Sequence, residues 1–537
     1  MLQRAIPDYL TAAAARWPNK TAVVTEQDAV SFQELHDASL ITAECLTELG
    51  VRPGDRVGVC MGKTLEQVYV LLGILLANAV IVPILPRLKE HNIQHIIQNS
   101  GMTALVTDAN RIGEVAKFSH LTKIITGHGD IDERWPNLPY MRRHIQARQQ
   151  FDRIGQDNAA IIYSSGSTGR PKGILISHRN LADGAVIVSE YLDTREDDRI
   201  CLPLSFNFDY GLNQLWQTIL KGCTLYLHDF MLPNDLFALL SEARITALPV
   251  MPVLITKMFD RRLYAASESF DFSALRYVCS TGGRLSDQML EDLRSMFPST
   301  EIYSMYGLTE AFRSTYLPPN MLASRPTSIG KAIPDVQILV LDENGHECPP
   351  NVPGVLVHRG GCVAKGYWGD PENTARVFRS HPDYPGETLV YSGDIVRRDA
   401  DGYLYFVGRK DEMIKTQGFR VSPTEVESEM LGHQDIAAAV AFGIPNITIG
   451  DDIVCAYTTH SGNAVGERQL RQYLKEKLPR HMVPTFLVHF EHFPATGNDG
   501  KIDRTTVKAS VSAHLSVTRE PPSNPASMAD SSASRAP

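Results

Sequence analysis

The segment Ile161 to Gly173, IIYSSGSTGRPKG, gathers groups suited to holding an anion. An apolar run ends in Ser164, Ser165, Gly166, Ser167, Thr168 and Gly169, and Lys172 follows Arg170 and Pro171. Small residues let backbone N–H groups approach anionic oxygens, hydroxyls add donors, and the lysine adds charge. A phosphate cradle is the expectation. A Ser/Gly-rich surface linker is the alternative, disfavoured by the apolar strand ahead of it and the Pro-Lys-Gly end. The loop is not a Walker-type cradle: Lys172 stands six residues after Gly166, but Pro171 takes the place of the second glycine and Gly173 that of the Ser/Thr. A kinase or motor ATPase thereby loses its main support. The eight cysteines are scattered with no CxxC spacing, which excludes a recognisable zinc module and argues against a disulfide scaffold.

Further motifs follow in order: Tyr306-Gly-Leu-Thr-Glu310, Tyr391-Ser-Gly-Asp394, Gly408-Arg-Lys-Asp-Glu-Met-Ile-Lys-Thr-Gln-Gly418 and Asn498-Asp-Gly-Lys-Ile-Asp503. With the loop above, and the shorter Gly366-Tyr-Trp and Thr374-Ala-Arg-Val-Phe378, they resemble the adenylate-forming superfamily from about residue 5 to 510. Its members are acyl-CoA synthetases, adenylation domains of nonribosomal peptide synthetases, and luciferases. The stretches Phe206–Leu215 and Tyr306–Tyr316 also look like an acyl-CoA ligase subgroup associated with exosortase loci. The resemblance implies that ATP and a carboxylic acid give an acyl-adenylate and pyrophosphate, and that the acyl group then passes to a thiol.

That resemblance also implies roles. Residues 164–173 hold the β- and γ-phosphates; Glu310 ligates Mg2+, with Thr168 as a helper, and Thr309 beside Glu310 is counted with it and Lys501 among the catalytic residues. Tyr306, Gly307 and the Gly282-Gly283 turn flank adenine, Tyr306 as a plain core aromatic being the alternative. Asp394 accepts from the ribose hydroxyls, and Arg409 contacts the ribose and phosphate region. Lys501 matches the lysine that bridges the acid and ATP oxygens, where a positioned ammonium stabilises developing charge; an ordinary solvated lysine is its bland reading. Asp411 matches a hinge, and Gly418 and Phe419 a tunnel for pantetheine, though Gly418 as a simple turn glycine stays open. Two positions depart from the family pattern, Arg284 where many members carry Glu, and Gly354-Val355 where many carry Gly-Glu.

Substrate choice falls on Leu204 to Gln217. Phe208-Asp209 matches the pair that binds the substrate amine in amino-acid-activating members, favouring an amino acid or amine-bearing acid; Asp209 as a helix cap is weighed equally. Asn213, one turn along, faces the same pocket, and Tyr210 restricts its volume. A simple acyl acid is the alternative substrate. Free CoA or the phosphopantetheine of a separate carrier protein is the expected acceptor, because no Leu-Gly-Gly-His/Asp-Ser attachment site occurs.

Elements that position these residues alternate between helix and strand. Residues 31–49 and 64–78 predict helices, and 57–60, 79–84, 103–108 and 123–126 strands, implying parallel sheets with helices on both faces. From 325 to 410 short strands closed by Gly-containing turns predict a distorted β-barrel. The fold class is therefore α/β: residues 1–409 form a large domain of two αβ-layered subdomains plus that barrel, and 410–513 a small mobile α+β domain. A helix at 423–432, a strand at 437–443, a helix at 466–477 and a strand at 485–490 make up the latter, and 514–537, rich in Ser, Pro and Ala, a disordered tail.

With 537 residues, 52 basic and 61 acidic, the chain carries a net charge of −9, which argues against a nucleic-acid-coating surface. Val68 to Pro86 is long and apolar, but Asn78 and Pro83 break it into a buried helix and strand rather than a membrane span. A cytoplasmic location is expected. A nucleotide-binding regulator without catalysis is the competing class.

Overall fold

The computed structural model describes residues 5–88, 90–129, 134–146, 152–164, 171–259, 270–410, 412–416, 419–446, 450–460, 462–496 and 501–519. The chain divides into two compact units, Met1–Val407 and Gly408–Pro537, the division falling inside the strand Leu404–Arg409.

Among the described residues, the larger unit contains two sheets. One has six strands in the order Lys123–His128, Ala104–Asp108, Arg56–Cys60, Val80–Pro83, Asn158–Ser164 and Lys172–Ser177. Its ladders are parallel except the last, where Ser164 pairs with Lys172. The apolar stretch flagged for membrane spanning is the helix Leu65–Leu76 and the strand Val80–Pro83, both buried in the core. No helix among the described residues is long and apolar enough to cross a membrane.

The second sheet runs parallel through Thr21–Val24, Thr224–Leu227, Arg199–Leu202, Ala247–Val250, Tyr277–Ser280 and Glu301–Tyr306. It turns antiparallel where Glu301–Tyr306 meets Thr315–Leu317. The expected barrel strands continue from there as Ser328–Ala332, Leu404–Arg409, Tyr384–Arg398, Gly354–Gly360 and Val336–Leu341. They form an open run joined to the parallel strands, and no ladder among the described residues closes it.

In the smaller unit, Gly450–Thr459 pairs with Ile436–Asn446 and, in parallel, with Phe486–His489. The helices Pro423–Leu431, Glu467–Lys477 and Arg504–Arg519 accompany this sheet. The last helix corrects the expected start of the tail at 514. Val507 and Val511 are buried and Leu515 packs beside them against Val440, Phe442 and Val454, so a four-residue apolar period carries the helix on to Arg519. Residues 520–537 lie outside the described residues.

Candidate active site

The phosphate-loop residues Ser165, Gly166, Ser167, Thr168 and Gly169 lie outside the described residues, but the base of the loop is defined. It closes the antiparallel hairpin between Asn158–Ser164 and Lys172–Ser177, with Ser164 opposite Lys172. The second strand is pinned from its other side. Leu175 donates to Gly366 O at 2.9 Å, Lys365 donates to Leu175 O at 2.8 Å, and Trp368 donates to Gly173 O at 2.7 Å.

This pinning sets Tyr367 beside Lys172, whose ammonium lies 5.6 Å from the ring centroid. The Tyr367 hydroxyl donates to Glu310 Oε1 at 2.6 Å. One side chain therefore joins the lysine of the loop to the carboxylate of the Tyr-Gly-Leu-Thr-Glu motif, two segments well separated in sequence. Tyr367 is itself held: its N–H donates to Thr374 Oγ1 at 2.9 Å, and its ring meets Phe378 edge-on at 5.5 Å. The motif Thr374–Phe378 thus orients Tyr367. The Gly366-Tyr-Trp pattern alone gives the tyrosine no task; its place between a cradle lysine and a motif acid emerges only in the fold.

Thr309 and Glu310 sit on the loop 307–314, which joins the last parallel strand to the first antiparallel one. Gly307 is required by close approach: a Cβ there would stand 2.3 Å from Phe312 O. Phe312 takes a left-handed φ of 54°, uncommon for a bulky residue. At the start of this loop Tyr306 donates its hydroxyl to Asp394 Oδ2, and its ring lies 6.3 Å from that of Phe406. Asp394 is buried, and its N–H donates to Ser392 Oγ at 3.1 Å. The two polar residues expected near adenine and ribose are thereby in direct contact, one from each half of the mixed sheet. The Gly282-Gly283 turn follows the parallel strand Tyr277–Ser280, with Gly282 at φ +83°.

Asp209 begins the helix Asp209–Lys221, which ends at Gly222 in the left-handed conformation that a helix C-terminus favours. The helix-cap reading is corrected here. Phe208 occupies the cap position, and no side-chain cap hydrogen bond forms. Although Asp209 keeps some access to solvent, burial pushes its carboxyl above the usual carboxylate range. The Arg313 guanidinium, the Tyr210 backbone N–H and the Thr309 hydroxyl act in the opposite direction. Asn213 shares the face of Asp209, and both line a cavity of about 20 Å³ together with Thr309, Phe312 and Trp216. Tyr210 does not restrict this cavity as expected, because its ring points elsewhere. Its hydroxyl donates to Cys279 O at 2.7 Å, and its face carries the Arg313 guanidinium at 4.6 Å. Arg313, 3% exposed, is a second functional candidate that the sequence pattern alone does not mark.

In the smaller unit, Arg409 ends the strand Leu404–Arg409 and is exposed. Lys501 opens the short strand Lys501–Ile502, paired opposite Thr496. Asp503 N–H donates to Pro494 O at 2.7 Å, and the carboxylate of Asp503 accepts from Thr506 N–H at 3.0 Å to start the last helix. Asp411 and Gly418 lie outside the described residues, as does the side chain of Phe419, whose backbone belongs to the strand Phe419–Val421.

The fold has counterparts in solved structures. The ATP-bound MatB of Rhodopseudomonas palustris has the same fold, with a TM-score of 0.84 at 24% identity, covering 94% of this chain and 98% of that one. The anthranilate CoA ligase AuaEII, solved with anthranoyl-AMP, superposes with a TM-score of 0.87 at 23% identity, covering 96% and 99%. The AMP-binding enzyme model matches residues 10–368, and the AMP-binding enzyme C-terminal domain matches 425–499. The chain belongs to the AMP-binding enzyme family. Surfactin synthase subunit 2 of Bacillus subtilis (strain 168) is 30% identical over 503 residues, which is 92% of this chain but only 14% of that relative's length.

Proposed function

We propose that this protein is an AMP-forming acid–thiol ligase. A substrate carboxylate oxygen attacks the α-phosphorus of ATP, the bond from that phosphorus to the bridging oxygen breaks, and pyrophosphate leaves. A thiol sulfur then attacks the acyl carbon of the adenylate, AMP departs, and the thiol proton is released. The observation that carries this reading is the junction of Lys172, Tyr367 and Glu310 beside the Tyr306–Asp394 pair. It brings a cation, an acid and an aromatic–carboxylate pair to the switch between parallel and antiparallel strands.

Two anions must meet in the first step, so positioning is most of the work; orientation supplies roughly 7–11 kcal/mol in favourable systems. Lys172 and the loop 164–173 take the outer phosphates, while Tyr306 and the Gly282-Gly283 turn flank the base. Asp394, oriented by Tyr306, receives the ribose hydroxyls, and Arg409 approaches the ribose and phosphate region. No group of three His, Cys, Asp or Glu side chains able to hold a metal occurs among the described residues. Mg2+ needs none, since it typically takes one or two carboxylates and completes its shell with water and substrate phosphates. Glu310, held by a neutral phenol donor, fits that requirement, with Thr168 as its helper. When bound, Mg2+ would offset the charge between the phosphates and this carboxylate.

Lys501 supplies the ammonium that bridges acid and α-phosphate. Rotation about Asp411 then withdraws it and presents Gly418 and Phe419 to the pantetheine of CoA or of a carrier protein. The complex of AuaEII with anthranoyl-AMP, an acyl-adenylate held in the same fold, supports the first half-reaction.

Acid-dependent exchange of labelled pyrophosphate into ATP tests the reading. Lys501→Ala is expected to abolish exchange while leaving ATP affinity, measured by calorimetry, largely intact. Exchange at the wild-type rate in that variant overturns the lysine's role. ATP binding with no exchange for any acid makes the protein a nucleotide-binding regulator instead.

A further inference from the structure

The acid end of the site is unusually rich in unanswered donors. Asn213 and Trp216, both 1% exposed, line the cavity beside Asp209, and neither Asn213 Nδ2 nor Trp216 Nε1 has a hydrogen-bond partner. The Asn213 amide orientation is fixed by a relay. Thr194 Oγ1 donates to Gln217 Oε1 at 3.1 Å, which turns Gln217 Nε2 to donate to Asn213 Oδ1 at 2.8 Å. The Asn213 oxygen is thereby spent, and its NH2 remains. Arg313, 3% exposed, acts on Asp209 through its charge without lining the cavity. Its Nη1 makes only a 3.4 Å donation to Phe312 O, and Nε and Nη2 have no partner.

A buried donor without an acceptor is costly, so a pocket that keeps several of them is matched to a ligand that supplies acceptors. The Asp209 carboxyl does not reverse this balance, because it lies in the field of a fixed cation, the Arg313 guanidinium. An ammonium brought here would meet Arg313 as a like charge. The cavity volume of about 20 Å³ is of the size taken by a single oxygen-bearing group.

Resting on the ligase reading above, we propose that the acid activated by this protein carries, besides its reacting carboxylate, an oxygen acceptor received by Asn213 and Trp216 in the field of the Arg313 charge. Hydroxyl, keto and second carboxyl groups share that chemistry. Asp209 balances the charge of Arg313 rather than receiving an amine, and Asn213 and Arg313 determine specificity.

The test is pyrophosphate exchange by the full chain with acids of matched length: unsubstituted, hydroxy-, keto-, carboxy- and amino-substituted, in four-carbon, six-carbon and benzoate series. Oxygen-bearing acids are expected to exceed both the unsubstituted and the amino acids at least tenfold in kcat/KM. The hydroxy, keto and carboxy arms identify which acceptor is preferred. Arg313→Met and Asn213→Leu should each collapse that advantage by raising KM for the oxygen-bearing acid while KM for ATP holds, a pattern that misfolding does not give. A lead for amino or unsubstituted acids, or an advantage that survives both substitutions, overturns the inference and leaves the ligase reading intact. ATP binding without exchange for any acid removes the ligase reading, and this inference with it.

Discussion

Tyr367 donates to Glu310 at 2.6 Å and offers its ring to Lys172, so a single phenol sets the distance between the acid and the cation expected to face ATP. Hydrogen bonds to charged groups contribute about 1.5–3 kcal/mol, and each 1.36 kcal/mol is about tenfold in rate. Tyr367→Phe is therefore expected to lower kcat/KM for ATP by roughly tenfold or more in the exchange assay. Its melting temperature should stay close to that of the wild type, because the ring still meets Phe378. A large loss of stability with unchanged kinetics would make Tyr367 a packing residue only. Arg313 differs in kind: its surroundings are aromatic and its free donors face no protein acceptor, which suits recognition better than stability.

Among the elements, the loop 307–314 bears the most constraint. It carries Thr309, Glu310 and Arg313 within one turn, contains the left-handed Phe312, and starts at a glycine whose missing side chain lets the loop fold back on itself. Forcing a methyl group into such a space typically costs 1–3 kcal/mol. Gly307→Ala is expected to lower the melting temperature and reduce exchange at least tenfold, since Glu310 and Arg313 must both move. Gly113→Ala, where a Cβ meets nothing within 4 Å, is the control and should change neither. In the smaller unit the Glu427–Arg504 ion pair, with Glu427 also accepting from Ala441 N–H at 2.7 Å, ties the helix that follows Lys501 to the sheet.

For the whole molecule, buried imidazoles set an acid limit on stability. His358 is fully buried against Ser314 Oγ, and burial pushes its pKa from 6.5 down to about 3; burial takes His178 to about 4. Below pH 6.5 the unfolded chain binds a proton that the folded imidazole refuses, so stability from these groups is complete above about 6.5. It falls as the pH drops toward 3–4. Asp209 and Glu427, whose carboxyls burial raises, act with the opposite sign. Comparing variants isolates one group: the loss of melting temperature between pH 7 and 4.5 should be shallower in His358→Gln than in the wild type. Equal slopes would show that His358 takes no part in acid unfolding.

The sequence by itself determined the elements whose patterns are local. Helices at 31–49 and 64–78, the buried strand after them, and the two helices and two strands expected between 423 and 490 follow from periodicity and turn residues, and the structure has them within a few residues while adding the strand Gly450–Thr459 and the helix Arg504–Arg519. The motifs likewise marked Glu310, Tyr306 and Asp394, because residue type and spacing survive in one dimension. Tertiary structure alone decided what those residues touch. That Tyr306 grips Asp394, that Tyr367 joins Glu310 to Lys172, and that Tyr210 supports Arg313 all depend on strands far apart in the chain becoming neighbours. The helix continuing to Arg519 depends likewise on an apolar face finding the sheet of its own unit. The surroundings of Asp209 were decided only there as well. Which charges surround a carboxylate is fixed by packing, and the Arg313 guanidinium that acts on Asp209 comes from a loop about a hundred residues away.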